Sequence, residues 1–248
     1  MPTSDARVPG GVLRSVARVA TTVRRRYPNL VVSLILVVQN LAVFQGHYFR
    51  GVGIPWDFAM SYYAMVAFWT SAVREGVFPQ WIPFQQMGFP FALQLQSGIN
   101  YLPLWIFPAL NIPYTLRAAI VLQCLHVLAG SVGMFMLGRH VLGTRRYALL
   151  GAVAFQFFGG FYSNAEHIDI VRAFASAPWL LYVFAIGPLE TQVLPRRTVF
   201  IPLVLSLFLT GAYPGNVIAA GVIIPLFVGL QLVDRFAAGV PPVRLLGH

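Results

Sequence analysis

Long apolar stretches separated by short polar breaks make up most of this chain of 248 residues. Most of these stretches approach the ~20 residues that a helix needs to cross a bilayer. The pattern therefore predicts an all-α polytopic membrane protein with about six transmembrane helices. The predicted spans cover residues 28–47, 115–138, 147–164, 171–189, 198–213 and 215–233.

The segment between the first two spans, residues 48–114, is predicted to be one large loop that contains interfacial helices. Five residues recur at helical spacing and share one face of the first of these helices: Phe58, Tyr62, Met65, Trp69 and Ala72. Asp57 stands where an N-cap belongs, and Gly76 stands where a C-terminal glycine belongs. Because this stretch is rich in aromatic residues, we expect its helix to lie in the membrane interface.

The second half of this loop, residues 94–114, is apolar but is interrupted by Pro103, Pro108 and Pro113. If this half were a full span, the arginine-rich break that follows the next span would lie outside, against the positive-inside bias. We therefore predict an interfacial or partly re-entrant segment. The chain then divides into a tail (1–27) and a single membrane domain (28–248), in which residues 115–248 hold five further spans.

The composition excludes a soluble enzyme, a small secreted protein and a DNA-binding factor. The chain is 58% hydrophobic and only 10% charged, whereas charged residues make up about a quarter of a soluble domain. Cys124 is its single cysteine, so no disulfide framework or thiolate metal site is available. The formal net charge is +10, but the excess lies in the first 26 residues and in short breaks between apolar stretches. Nucleic acid is therefore not an expected partner.

All 17 basic residues are arginines, and their distribution predicts the topology. Six of them precede residue 27, so the positive-inside bias keeps the N-terminal tail in the cytoplasm. No small-residue cleavage site follows the first apolar stretch, which we interpret as an uncleaved anchor. With the six predicted spans, 13 arginines lie inside and four lie outside.

The same topology places four of the seven acids on the external face, together with two histidines. These residues are Asp57, Glu75, Glu166, Asp169, His47 and His167. Any acid–base chemistry is therefore expected on that face. The polar residues inside the spans are instead expected to form hydrogen bonds between helices, as polar groups in lipid usually do. They are Gln39, Asn40, Gln123, His126 and Gln156.

Several short motifs of this chain resemble those of a known family. The motifs are Asp57, Glu75-Gly76-Val77-Phe78-Pro79-Gln80-Trp81, Gly88-Phe89-Pro90, Gln96-Ser97-Gly98-Ile99-Asn100-Tyr101-Leu102-Pro103 and Gly211-Ala212-Tyr213-Pro214. They resemble the YfhO-type bacterial membrane proteins, within the GT-C superfamily of integral-membrane glycosyltransferases. The resemblance covers most of residues 30–233.

The resemblance implies a multi-pass protein of the bacterial inner (cytoplasmic) membrane. It also implies an activity, the transfer of a sugar from a polyprenyl-phosphate-linked donor to a cell-envelope glycan or lipid acceptor on the outer face. In that superfamily an acidic residue of the first external loop is the catalytic base or a metal ligand, and this role falls on Asp57. Whether a divalent metal ion takes part stays open. Members are generally longer, so this chain is expected to be the N-terminal part of a longer protein.

Other external residues complete the predicted site. A forked guanidinium suits a phosphate leaving group, and the candidates are Arg172, Arg117 and Arg74. Arg172 is favoured because it closes the densest polar cluster of the external face, which holds Glu166, His167 and Asp169. These three residues are candidates for catalysis, or for sharing a divalent ion with a carboxylate from another loop.

Each assignment has a simpler alternative. In the simpler interpretation, Asp57 is a helix cap, and the Glu166–Asp169 cluster is a solvated turn between two helices. Trp56 and Trp81 either stack on a sugar or anchor the loop in the membrane interface. For the whole chain, the alternatives to a glycosyltransferase are a lipid or anion transporter or flippase, and a non-catalytic membrane fragment. A transporter is expected to carry charges deep in its spans, and the sequence predicts none there.

Overall fold

The computed structural model describes residues 28–94, 96, 98–186 and 194–237. The predicted cytoplasmic tail, residues 1–27, lies outside the described residues. In the described part of the chain the α-helices are α1 (Pro28–Val43), α2 (Gln45–Phe49), α3 (Ala64–Arg74), α4 (Ile106–Ala109), α5 (Leu116–Leu142), α6 (Arg145–Phe155), α7 (Gly159–Ser163), α8 (Ile168–Ile186), α9 (Leu194–Gly211) and α10 (Pro214–Ala237).

Shorter elements lie between α2 and α5. A π-helical turn, Phe58–Tyr63, leads directly into α3. Strands β1 (Trp81–Ile82) and β2 (Phe89–Pro90) form a small antiparallel pair. Single 3₁₀ turns occupy Phe91–Leu93 and Leu102–Trp105. The described chain is therefore helical, as predicted, apart from this one hairpin.

Three of the described helices are long and apolar enough to cross a membrane. They contain the stretches Leu116–Leu142, Ile168–Ala185 and Pro214–Asp234. Two shorter apolar helices, Leu30–Val43 and Val199–Gly211, correspond to the first and fifth predicted spans. The helical, membrane-like character expected from the sequence is thus present, with three helices of spanning length in the described chain.

The third predicted span, residues 147–164, is not one continuous helix. α6 has 11 residues, so it rises only about 16 Å, roughly half the thickness of the hydrocarbon core. A break follows from Gln156 to Phe158 before the short helix α7. The hydroxyl of Tyr162 donates a hydrogen bond to the carbonyl of Gln156 at 2.9 Å. Irregular backbone at membrane depth needs such partners from the protein itself.

α5 packs closely against both α6 and α8 because glycines line its contact faces. A Cβ atom at Gly130 would lie 2.8 Å from the Cα atom of Ala175 in α8. A Cβ atom at Gly138 would lie 3.2 Å from the Cα atom of Ala148 in α6. Small residues at these positions let the helix backbones approach each other, as is common between helices in lipid.

Buried polar side chains connect α1 to the same bundle. The amide of Asn40 donates to the carbonyl of Cys124 in α5 at 3.2 Å. The amide of Gln156 donates to the carbonyl of Leu36 at 3.0 Å, and Gln39 donates to a carbonyl of α6 at 2.9 Å. Hydrogen bonds between helices were predicted for these residues, and the contacts confirm that prediction.

Residues 50–115, called the connecting segment below, fold against one end of the bundle, called the loop end. Buried side chains of the segment pack with Ile120 near the start of α5 and with Ile168 at the start of α8. The face predicted from helical spacing is confirmed, because four of its members are at most 8% exposed and Ala72 is half-buried. The four are Phe58, Tyr62, Met65 and Trp69.

The prediction that Asp57 caps this helix is wrong. Its backbone already has helical angles (φ −57°, ψ −30°), and its side chain makes no capping hydrogen bond. The carbonyl of Trp56 instead accepts from the N–H groups of Ala59 and Met60, so the helix effectively begins one residue earlier. At the other end Gly76 adopts a φ of +80° just after α3, as expected of a C-terminal glycine.

Candidate functional site

A buried carboxylate lies at the loop end, in the first turn of α8. Asp169 is only 2% exposed. Its Oδ1 atom accepts hydrogen bonds from the Tyr62 hydroxyl at 3.0 Å and from the N–H of Ile170 at 2.9 Å. Its Oδ2 atom accepts from the amide of Gln96 at 2.9 Å. These donors offset the cost of burying the charge, and they join the connecting segment to α8.

A buried guanidinium lies one helical turn further along α8. Arg172 is also 2% exposed, and its Cζ atom stands 4.5 Å from the centre of the Tyr101 ring. Within the described residues, its buried Nε and Nη2 atoms have no hydrogen-bond partner. Unpaired charged donors are costly to bury. The N–H bonds of these two atoms point in parallel from one edge of the guanidinium, which is the geometry that accepts two oxygens of an anion.

A histidine of α5, His126, orients the side chain of Tyr101 through a hydrogen bond. The hydroxyl of Tyr101 lies 2.6 Å from Nε2 of His126, and Nδ1 of the same ring lies 2.6 Å from the carbonyl of Leu122. Because a carbonyl can only accept, Nδ1 carries the hydrogen, and Nε2 of the neutral ring accepts from Tyr101. His126 therefore orients Tyr101, and the ring of Tyr101 supports Arg172.

Two glycines make room for this stack of side chains. Gly98 has a φ of +71°, and a Cβ atom there would lie 3.1 Å from Nη1 of Arg172. A Cβ atom at Gly211 would lie 2.6 Å from the Tyr101 ring. The two glycines belong to motifs that are more than one hundred positions apart in the chain. Their shared role is to let backbone approach Arg172 and Tyr101 closely.

Asp57 is exposed and directly precedes the buried Phe58. Burial, then the charge and hydrogen bond of Asp169, and then the charge of Asp57 raise the pKa of the Tyr62 hydroxyl well above its ordinary value. The positive charge of Arg172 opposes these effects. Tyr62 is therefore kept protonated and donates to Asp169.

Glu166 and His167 lie beside the buried cluster but on its surface. Their side chains are 31% and 32% exposed, and Oε1 of Glu166 is 3.5 Å from Nε2 of His167. The ring of His167 also makes an edge contact with Tyr62, with ring centres 6.2 Å apart. The predicted turn is thus only partly solvated, because Asp169 points into the protein while its two neighbours face outward.

The other predicted cations do not join the cluster. Arg74 is exposed and donates to the side chain of Asn111 at 2.7 Å. Arg117 is exposed and donates to the carbonyl of Tyr48 at 3.0 Å. Arg172 is therefore the one predicted phosphate ligand that the structure brings next to Asp169.

The two predicted tryptophans are exposed side chains of the connecting segment. Trp56 is 71% exposed and has a φ of +63°, and it directly precedes Asp57. Trp81 is 52% exposed and packs on Gly88 across the hairpin, where a Cβ atom would lie 2.5 Å from its indole nitrogen. Trp56 is therefore placed beside the candidate base, whereas Trp81 serves the hairpin.

An apolar groove begins directly after Arg172. A cavity of about 240 Å³ opens between α8, α9 and α10. Ala173 and Phe174, the two residues that follow Arg172, line its α8 wall, and Phe208 and Ile223 line the other walls. Asn216 is its one polar lining residue among those described. The apolar lining of the groove suits a hydrocarbon chain.

The described carboxylates do not form a metal-binding set. No three His, Cys, Asp or Glu side chains of the described residues lie close enough to hold a metal ion together. The oxygens of Asp169 are already engaged by protein donors.

Four residues of the cluster were missed as site residues in the sequence: Tyr62, Gln96, Tyr101 and His126. Tyr62 was predicted on the buried face of a helix, and His126 was predicted to hydrogen-bond between helices. Gln96 and Tyr101 lie in a motif that carried the family resemblance, which was the one available signal. Their partners are distant in sequence, so spacing alone cannot pair them.

The start of the fourth predicted span needs correction. The fourth span was predicted to start at residue 171, with Arg172 at its outer end. In the structure α8 starts at Ile168, and the spanning stretch Ile168–Ala185 contains both Asp169 and Arg172. The two charges are tolerated there because three donors satisfy the carboxylate and an aromatic ring covers the guanidinium.

Comparisons of this chain with protein-family models, curated proteins and solved structures found no match.

Proposed function

We propose that this chain is a membrane glycosyltransferase. It moves a sugar from a polyprenyl-phosphate-linked donor to a cell-envelope acceptor at the outer face of the bacterial inner membrane. The proposal rests on the family resemblance and on one structural observation. That observation is the buried guanidinium of Arg172, two of whose N–H groups have no partner among the described residues. An apolar groove is lined by Ala173 and Phe174, the residues that follow it.

Arg172 binds the phosphate of the donor in this proposal. The parallel N–H groups of Nε and Nη2 match two phosphate oxygens, and charge-assisted bonds of this kind are about twice as strong as neutral ones. Burial strengthens the attraction because little water competes for the donors. The polyprenyl chain then lies in the groove that begins at Ala173.

Asp57 acts as the base. The oxygen of an acceptor hydroxyl attacks the anomeric carbon of the sugar, and the bond from that carbon to the phosphate oxygen breaks. The electron pair of that bond stays on the phosphate, which leaves as polyprenyl phosphate, and Asp57 takes the proton of the hydroxyl. Arg172 holds the phosphate in position while the bond to the sugar breaks. A positioned carboxylate contributes about 10²–10⁴-fold to such a step.

The test compares two carboxylates of the connecting segment in vesicles containing the protein, labelled polyprenyl-phosphate hexoses and envelope lipids as acceptors. Asp57→Asn is expected to lower the rate of sugar transfer by about 10²-fold or more. Glu75→Gln is the matched control, because Glu75 is also exposed and lies just after α3. Its transfer rate is expected to stay near that of the unmodified protein. Equal rates for Asp57→Asn and Glu75→Gln at equal protein levels would remove Asp57 from the mechanism.

A lipid or anion transporter is the second candidate function. It is favoured by the two charges within a helix of spanning length, Asp169 and Arg172, since such residues often mark a transport path. The same vesicles distinguish the two functions. Movement of the labelled lipid between leaflets without any acceptor would support transport, whereas sugar transfer that needs an acceptor supports the enzyme.

A further inference from the structure

We infer that the Arg172 site separates substrate from product by charge, holding a singly charged phosphodiester and rejecting a doubly charged phosphomonoester. The inference rests on the proposed function and deepens it. The sugar donor is a phosphodiester, and the carrier that remains after transfer is a phosphomonoester. The site would therefore retain the donor and release the spent carrier.

The number of free donors fits a phosphodiester. Two N–H groups on one edge of the Arg172 guanidinium have no partner among the described residues, and a phosphodiester has two non-bridging oxygens that share one negative charge. The neighbouring donors are already engaged. The hydroxyl of Tyr62 and the amide of Gln96 donate to Asp169, and the hydroxyl of Tyr101 donates to His126.

The surrounding charges disfavour a second negative charge on the ligand. Asp169 lies one turn before Arg172 and is buried, so its charge is poorly screened. A monoanion balances the guanidinium, whereas the extra charge of a dianion meets the buried carboxylate of Asp169.

The charge of a phosphomonoester depends on pH, which makes the inference testable. Its second pKa is about 6, so it carries two negative charges near pH 8 and about one near pH 5. A phosphodiester carries one at both. The titratable groups around the site are Asp57, Tyr62, Tyr101, Tyr114, His126, Glu166, His167 and Asp169. Because any titration of these groups acts on both ligands, the ratio of the two dissociation constants isolates the ligand charge.

The experiment measures binding of methyl dodecyl phosphate and dodecyl phosphate to the full chain in lipid nanodiscs. These probes share one tail and differ by a methyl group. Near pH 8 the diester is expected to bind about tenfold more tightly than the monoester, which corresponds to about 1.4 kcal/mol. Near pH 5 the two dissociation constants should agree within about threefold, because both probes then carry one charge.

Arg172→Gln tests the phosphate site independently of the charge discrimination. It is expected to weaken binding of both probes by about tenfold or more, since it removes the charge and the forked donor geometry. Arg172→Lys keeps the charge and serves if the glutamine variant does not fold; it should weaken both probes while keeping the preference for the diester. Equal or tighter monoester binding near pH 8, with both probes weakened in the variants, would overturn the charge discrimination alone. Unchanged binding of both probes in both variants would overturn the phosphate site itself.

Discussion

At the scale of single residues, the functional hypothesis depends on how Arg172 is held. Its guanidinium is buried to 2% exposure, and two of its N–H groups have no partner in the part of the chain that the structure describes. Such donors destabilise a protein unless a ligand completes their bonds. The aromatic ring beneath it offsets part of this cost. Such an arrangement is costly for the fold and useful for binding an anion. The ring of Tyr101 supports Arg172, whereas its hydroxyl bonds to His126, so the two parts of this side chain have separate roles.

Substitutions at Tyr101 separate the ring from the hydroxyl. Tyr101→Phe keeps the ring under Arg172 but leaves Nε2 of buried His126 without a donor, so it should cost about 1–3 kcal/mol of stability. Its binding of methyl dodecyl phosphate should change by less than about threefold. Tyr101→Leu removes the ring and should weaken binding by about 30-fold, since a desolvated cation–π contact contributes about 2 kcal/mol.

The control for Tyr101→Leu is Tyr63→Leu, in the same connecting segment. Tyr63 is half-buried and stacks on Tyr114, with ring centres 6.0 Å apart. Its loss should lower stability without a comparable effect on phosphate binding. If Tyr63→Leu weakened binding as much as Tyr101→Leu, the role assigned to the ring beneath Arg172 would be wrong.

At the scale of elements, the close contact between α5 and α8 positions the site. α8 carries Asp169 and Arg172, α5 carries His126, and Gly130 sets the distance between the two helices. A methyl group at Gly130 would meet backbone rather than a flexible side chain, so the helices would have to separate. Overpacking of this kind costs about 1–3 kcal/mol.

Gly130→Ala is therefore expected to lower the thermal midpoint, and Gly151→Ala in α6 is its control. A Cβ atom at Gly151 meets no atom within 4 Å, so alanine there should leave the midpoint unchanged or raise it, since alanine favours a helix by about 1 kcal/mol over glycine. Unfolding can be followed with a thiol-reactive dye, because the single cysteine, Cys124, is 2% exposed in the folded state. A lower midpoint for Gly151→Ala than for Gly130→Ala would contradict the proposed packing.

Elements with local signals were predictable from the sequence. Helical spacing identified the buried face that includes Phe58 and Trp69, because the residues on one face of a helix recur every three or four positions along the chain. The break after α6 was not predicted. The apolar residues of the third predicted span indicate one continuous membrane helix. The break depends instead on the buried side chain of Gln156 and its bond to Leu36, 120 positions away, which hydropathy does not reveal.

At the scale of the whole molecule, the candidate site depends on contacts that are distant along the chain. The sequence pointed to Asp169 and Arg172 through their dense polar turn. It could not indicate that Tyr62 would bond to Asp169 across 107 positions, because no local pattern carries that pairing. The resulting cluster joins the connecting segment, α5 and α8 at one end of the bundle. Which side of the membrane this end faces then decides which leaflet supplies the substrate.

Accessibility of single engineered thiols to a membrane-impermeant maleimide tests this sidedness directly. Asp57→Cys reports on the loop end and Arg146→Cys on the opposite end; both positions are exposed, and the native Cys124 is buried. In intact cells the cysteine at position 57 should react, and the one at position 146 should react only after permeabilisation. Reaction at position 146 in intact cells, with position 57 protected until permeabilisation, would contradict an outward-facing site and with it the proposed transfer at the outer face.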